Sequence, residues 1–330
     1  MVLQFVLAFL VSIVVTALVG YFLIPVLRRA KAGQTIREDG PVWHSGKQGT
    51  PIMGGLMFIA GITAACLIVG FVIMRVGDFS HIFILLFALA FAAIGFLDDY
   101  EKLRKKQNLG LKVKQKFLLQ VLIAVAFIAL LRLTGNLTPS LYIPFANVSV
   151  YVPEPLYFIF AAFVAVGTVN SVNITDGVDG LATGVTIPVA IWFTVIAFMW
   201  SYTAVGVFAA ALLGGLIAFL VFNFHPAKVF MGDTGSLFLG GAVCAMAFAM
   251  DMPLILIPLG VVYFIETLSD IIQVSYFKLT KGKRVFKMAP IHHHFEMCGW
   301  SEYKLFAIFT AVSAVFAVIS YFGVWNRYPL

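Results

Sequence analysis

Five aspartates and a run of three histidines are the residues of this chain best suited to chemistry. Asp98 and Asp99 stand side by side at the end of an apolar run, and Asp176, Asp179 and Asp233 recur at polar breaks further on. Adjacent carboxylates at such a boundary repel each other and hold water, so they need a compensating cation or a function. Clustered carboxylates without paired cysteines are hard oxygen donors suited to Mg2+ or Mn2+. A catalytic Mg2+ takes one or two carboxylates plus substrate phosphates, which points to metal-assisted phosphate chemistry. His292, His293 and His294 are consecutive, and neighbouring side chains diverge, whereas a zinc site favours spaced ligands. Partly protonated imidazoles in contact with phosphate are the better reading.

Other polar residues surround these. The run Asn170-Ser-Val-Asn173-Ile-Thr-Asp176-Gly177-Val-Asp179-Gly180 carries amides and carboxylates for a nucleobase or sugar. Its glycines permit tight turns and close approach to a ligand. A capped helix turn is the competing reading, since Asp and Asn cap well. Capping also competes at Asp233, which lies just ahead of an apolar helix in Phe230-Met-Gly-Asp233-Thr-Gly-Ser, after Asn223. Lys47 precedes the run Gly-Thr-Pro-Ile-Met-Gly-Gly at 49–55. Glu266, Asp270 and Gln273 form one polar stripe on an otherwise apolar helix, for which function and interhelical packing are equal contenders. There is neither a P-loop nor a Gly-x-Ser-x-Gly elbow, so any phosphate chemistry is metal-based.

Apolar elements must position these residues. Of 330 residues, 62% are hydrophobic and 11% charged, with a mean hydropathy of +1.01. Soluble proteins carry about 25% charged residues, so the chain reads as an all-α polytopic membrane protein. No polar stretch is long enough for a separate soluble unit, and 1–330 reads as a single transmembrane domain. A spanning helix needs about 20 apolar residues. Ten segments qualify: 3–27, 53–74, 79–97, 117–134, 157–173, 181–200, 203–222, 236–250, 253–276 and 304–325. The eighth is the weakest by length, and Pro188 and Pro258 are expected kinks. The first lacks a basic start and a cleavage site, so it reads as a retained helix. Cys66, Cys244 and Cys298 have no metal or redox spacing and read as packing residues.

Nineteen of the 22 Lys and Arg fall in odd-numbered connections; Arg75, Arg132 and Arg327 are the exceptions. The positive-inside rule puts those connections in the cytoplasm, and ten spans then leave both termini outside. The net charge of +7 and pI near 9.3 thus report topology, and nucleic acid is excluded as a partner. All five aspartates, the histidines and Lys47 fall on that same side, although the side was assigned from Lys and Arg alone. The fourth connection, 132–156, on the even side, alternates β-branched and aromatic residues around Pro144 and Asn147, which predicts a small external β-hairpin. Asn136-Leu-Thr matches a glycosylation acceptor, a pattern too short to carry weight.

Four motifs in order carry a resemblance: Asp98-Asp99-x-x-Lys102, Asn170-x-x-Asn173-x-x-Asp176-Gly-x-Asp179-Gly-Leu, Phe230-Met-Gly-Asp233-Thr-Gly-Ser, and Pro290-x-His-His-His-Phe-Glu296. Together they resemble the polyprenyl-phosphate N-acetylhexosamine-1-phosphate transferases of glycosyltransferase family 4. The likeness runs from His44-x-x-Lys47 to the histidines, with Ile52 where a Thr is usual. The histidine motif is similar to that of the muramoyl-pentapeptide branch. The resemblance implies ten helices, a cytoplasmic site at the bacterial inner membrane, and a homodimer. It implies transfer of phospho-MurNAc-pentapeptide from UDP to undecaprenyl phosphate, releasing UMP, with Mg2+.

By motif position, Asp233 is the best metal ligand, with Asp98 and Asp99 beside it. Asp98 would deprotonate the lipid phosphate, or the pair would supply a covalent nucleophile. Lys47, Asn173, Asp176, Gly177, Asp179, Asn223 and Phe230 match positions lining the uridine and diphosphate pocket, and Asn170 belongs to the same motif. Lys102, Lys116, His292, His293 and His294 would contact phosphates. Membrane lipids with anionic headgroups would be drawn to the basic connections. The alternatives are a sister transferase using UDP-N-acetylglucosamine and, more remotely, a cation-coupled transporter. Against the transporter, the acids gather on one face and do not line a midplane path.

Overall fold

Lipid offers the backbone no hydrogen-bond partners, so long apolar segments satisfy their own peptide groups by forming helices. The computed structural model describes residues 1–30, 47, 49–71, 77–105, 107, 109–135 and 137–327. Lys31, Arg37, His44, Arg75, Lys106 and Asn136 lie outside them. The order is α1 (Val2–Arg29), α2 (Gly55–Ile68), α3 (Ser80–Lys105), α4 (Val113–Leu133), β1 (Ser140–Ile143), β2 (Val148–Tyr151), α5 (Glu154–Thr175) and α6 (Leu181–Met199). It continues with α7 (Thr203–Asn223), α8 (Gly232–Ala249), α9 (Leu256–Leu259), α10 (Val261–Leu279), α11 (Ile291–Glu296) and α12 (Glu302–Val324).

Among the described residues, eight helices are long and apolar enough to cross a membrane: α1, α3 to α8, and α12. The protein is therefore a mostly helical, multi-pass membrane protein. Every predicted apolar segment forms helix, but two depart from a plain crossing. Helix α2 has 14 residues. The segment expected at 253–276 is broken: Pro253–Leu259 and Val261–Leu279 meet at 81°, and they make a ninth crossing only if the bent pair is one span. Pro258 has no N–H to donate and Gly260 follows at the break, so the expected kink becomes a corner. Helix α6, by contrast, continues through Pro188.

Helix surfaces are patterned for lipid. Along α1, Leu3, Val14, Leu18 and Phe22 are exposed while Ala8, Ser12, Thr16 and Gly20 are buried. Large apolar side chains face outward and small residues face the neighbouring helices, as expected where lipid is as apolar as leucine. Cys66 and Cys244 are buried as expected, but Cys298 is exposed; it lies in the loop after α11, away from the bundle core.

The segment expected to be the weakest span becomes the best enclosed. Helix α8 starts at Gly232 and has 18 residues, because its polar first turn, Gly-Asp-Thr-Gly, is helical although it adds nothing to an apolar count. It packs most extensively on α3 and α5. Gly240 lies against the Val169 backbone and Gly241 against that of Ala88. At its N-terminal end, Gly95 of α3 meets the Asp233 carbonyl so closely that a Cβ would overlap it.

Strands β1 and β2 form the expected hairpin, antiparallel with Ser140 opposite Tyr151 and Ile143 opposite Val148. It docks on the end of α12, where Phe145 N–H donates to the Gly323 carbonyl (2.8 Å). Arg327 lies over the Tyr142 ring, 4.5 Å from its centroid.

Because the neighbour at Gly95 is backbone and cannot swing aside, Gly95→Ala must part α3 from α8. A cost of about 1–3 kcal/mol is expected, read as a lowered unfolding temperature of the purified protein.

Candidate active site

The five connections that follow α1, α3, α5, α7 and α10 meet at one end of the bundle. The centre is an acid cluster, with oxygens of Asp98, Asp99 and Asp233 all within 4.8 Å of one another. Lys102 sits among them, its Nζ 2.6 Å from Asp98, 3.0 Å from Asp233 and 3.8 Å from Asp99. Lys116, from the start of α4, reaches Asp233 at 2.6 Å. The Asn173 amide donates to Asp233 (2.9 Å) and to Ser236 Oγ (2.7 Å).

The adjacent acids have different partners. The first N–H groups of a helix have no partner within it. At α8 the Asp99 carboxylate supplies one: it accepts from Asp233 N–H (3.1 Å), Thr234 N–H (2.9 Å) and Thr234 Oγ1 (2.7 Å). Asp99 thus caps a helix from across the bundle, and Asp233 is spared that role. Gly232, at φ +70°, makes the turn that admits this carboxylate; a Cβ there would stand 2.6 Å from Asp99 Oδ2. Asp98 instead accepts from Leu111 N–H at 2.9 Å. An oxygen of Asp98 also lies within 4.8 Å of one on Asp233.

A second cluster lies beside the first. Lys47 Nζ pairs with Asp179 and Glu302, each at 2.7 Å. Asp179 also accepts from Ala227 N–H (3.0 Å) and is paired with His225 Nδ1 (2.9 Å), while its own N–H donates to Glu302 (3.2 Å). Burial works to raise the Asp179 carboxyl, but the Lys47 charge and these hydrogen bonds outweigh it and hold it below the ordinary value. Asp176 feels both clusters. Burial, then repulsion from Asp233, Asp99 and Asp179, pushes it well above the ordinary value, opposed by Lys47.

The histidines are expected to diverge; each has its own partner, but the His292 and His293 rings stay close, with centroids 4.2 Å apart. His292 Nδ1 lies 2.8 Å from Glu266, His293 Nδ1 lies 2.6 Å from Glu296, and His294 accepts from Lys287 N–H at 3.1 Å. Gln273 accepts from Val285 and Phe286 N–H and donates to the Phe286 carbonyl. The polar stripe on α10 therefore fastens the histidine segment to the bundle. Gly177 lies against His292, close enough that a Cβ would overlap Nε2.

Some expected residues support the site from behind. Asn170 pairs with Gln120. Asn223 is buried, accepting from Thr183 Oγ1 and donating to the Val229 carbonyl. Phe230 is half-buried; its backbone pairs with Pro51 and Gly54, which ties the 49–55 run to the start of α8. Glu302, His225 and Thr234 were not foreseen. Glu302 follows Ser301, which caps α12 through Lys304 N–H, and an acid in a first helical turn reads as a dipole partner. The available signal was its place at the opening of the last span, on the side of the other acids.

An acid–lysine cluster at the mouth of a helical membrane bundle has the donors to meet a divalent cation and phosphate oxygens together. The sequence profile of glycosyl transferase family 4 matches residues 81–251, the stretch bearing Asp98 through Asp233. A phospho-N-acetylmuramoyl-pentapeptide-transferase of Clostridium acetobutylicum is 46% identical over 315 residues, covering 94% of this chain and 96% of that protein. One of the same name from Staphylococcus aureus is 47% identical over 322 residues, covering 96% and 97%. The chain belongs to the phospho-N-acetylmuramoyl-pentapeptide-transferases of glycosyl transferase family 4.

Removing the cap strands buried donors, so Asp99→Ala should lower stability by about 1–3 kcal/mol. Asp98→Asn, which still accepts from Leu111, should unfold near the parent temperature while losing activity. Thermal unfolding of both variants distinguishes cap from reactant. For Asp179 the folded carboxyl is the stronger acid, so its network stabilises fully above the ordinary carboxylate value and is lost as pH falls through the folded value. If burial prevails once the Lys47 charge is removed, as in Lys47→Met, the folded carboxyl becomes the weaker acid and the sign reverses: stability should then fall as pH rises through the ordinary carboxylate value, read from unfolding temperature against pH.

Proposed function

We propose that this protein transfers phospho-N-acetylmuramoyl-pentapeptide from UDP to undecaprenyl phosphate, giving lipid I and UMP at the cytoplasmic face of the bacterial inner membrane. The observation that carries the proposal is the convergence of Asp98, Asp99 and Asp233 with Lys102, Lys116 and Asn173 at one end of the bundle, in a chain of this family. A membrane-boundary site lets a water-soluble nucleotide sugar meet a lipid phosphate. The topology proposed is ten crossings, counting α2 and the bent pair, with both termini outside; the distribution of Lys and Arg supports it. The family likeness further implies a homodimer.

Phosphoryl transfer depends mainly on positioning and charge neutralisation. Lys47, Asp179, Gly177 and Phe230 hold the uridine and diphosphate end. Lys102 and Lys116 neutralise phosphate oxygens, as do His293 and His294. Asp98 takes the proton from the lipid phosphate, whose oxygen then forms a bond to the sugar-bearing phosphorus as the bond to UMP breaks. Asp99 is committed to three hydrogen bonds at the start of α8, a structural task Asp98 does not share, which supports Asp98 as the base. A divalent cation fits the donor set: Asp98, Asp99, Asp176 and Asp233 outnumber Lys102 and Lys116, and the oxygens are hard ligands. Asp233, with Asp98 beside it, would hold Mg2+, which supplies further charge neutralisation when bound.

Purified protein given UDP-MurNAc-pentapeptide and undecaprenyl phosphate should release UMP with Mg2+ and stop in excess chelator; full activity in chelator would refute the metal. Asp233→Asn should lose more than about tenfold in rate while remaining folded. Equal turnover of UDP-N-acetylglucosamine would assign the protein to the sister activity.

A further inference from the structure

The polar stripe on α10 contains more than a fastening needs. Gln273 alone secures the 285–286 backbone with three hydrogen bonds. About two turns back toward the helix start, Glu266 places a carboxylate at 0% exposure beside His292, whose side chain is 1% exposed. A buried carboxylate is a costly staple compared with an amide. Two atoms of this pair have no hydrogen-bond partner: Glu266 Oε1 and His292 Nε2. Glu266 Oε2 receives both Nδ1 (2.8 Å) and, at 3.5 Å, the backbone N–H of the same histidine. An ionised carboxylate only accepts, so Nδ1 carries the proton, and the hydrogen bond at one ring nitrogen fixes the role of the other. The free Nε2 lies against Gly177, an exposed residue with no side chain to hold it off, next to Asp176.

We propose that Glu266 is a positioning residue for the transfer reaction, holding His292 so that Nε2 is presented to the Asp176–Gly177 turn and to the phosphorylated part of a nucleotide sugar bound there. The identity of that ligand rests on the function proposed above; the orientation of the ring does not. Glu266 acts through His292 and touches no reacting atom.

The test uses full-length purified variants. Ring-nitrogen NMR of the labelled protein, with the His292 signals assigned by their loss in His292→Ala, should show a single tautomer with the proton on Nδ1. A proton on Nε2 in the wild type, or a mixture, would overturn the proposal, and this reading needs no variant of Glu266 to fold. Glu266→Gln keeps an acceptor for Nδ1–H and should retain most UMP release. Glu266→Met, of similar length without the acceptor, should lose about tenfold or more and scramble the tautomer. On the His292→Ala background, Glu266→Met should cause no further loss of turnover. Multiplying losses in that pair, or equal turnover of the Gln and Met variants, would show that Glu266 does not act through His292. Absence of UMP release by the wild type would refute the proposed function and leave the tautomer result standing.

Discussion

Much of the site depends on a carboxylate from one helix closing the end of another. Asp99 accepts three hydrogen bonds from the first turn of α8, and an acid at a helix N-terminus also opposes the partial positive charge there. The interaction sets the height of α8 against α3. Since Asp233 donates one of the capped N–H groups, its own carboxylate is delivered beside Asp98. Lys102 follows Asp99 by three residues on the same helix and therefore faces the same way. One cap thus aligns both acids and the cation between them, and the glycine contacts between the two helices allow the approach.

The same arrangement shows what could be read in the residues alone. The apolar helical segments, the hairpin and the shared side of the acids follow from periodicity and charge count. The division of labour between Asp98 and Asp99 does not, because adjacent acids look alike until a partner over 130 positions away chooses one. The start of α8 was obscured because a polar helical turn adds nothing to an apolar count. The corner at Gly260 exceeded the expected kink because a proline predicts a break without an angle. Glu302 and His225 escaped notice because each is singular in its surroundings; only the fold brings them to Lys47 and Asp179.

The site also shows how charge is tolerated beside lipid. Its acids and lysines are largely withdrawn from water, yet they are arranged as interleaved pairs and backbone caps, so few carry their charge alone. Asp176 is the exception, with three acids in electrostatic reach and Lys47 as its counterweight. A bound cation would relieve that imbalance, and Lys47, Lys102 and Lys116 would be placed to meet anions. Both are needed where a phosphate bond is to be exchanged.

Lys47 and Glu302 are paired across 255 positions, and the residues between them supply every other part of the site. A chain emerging from the ribosome enters the membrane helix by helix, and Glu302 opens α12. Until that helix is inserted, Lys47 lacks one of its carboxylate partners. The order of synthesis thus leaves the site unfinished until α12 has been made.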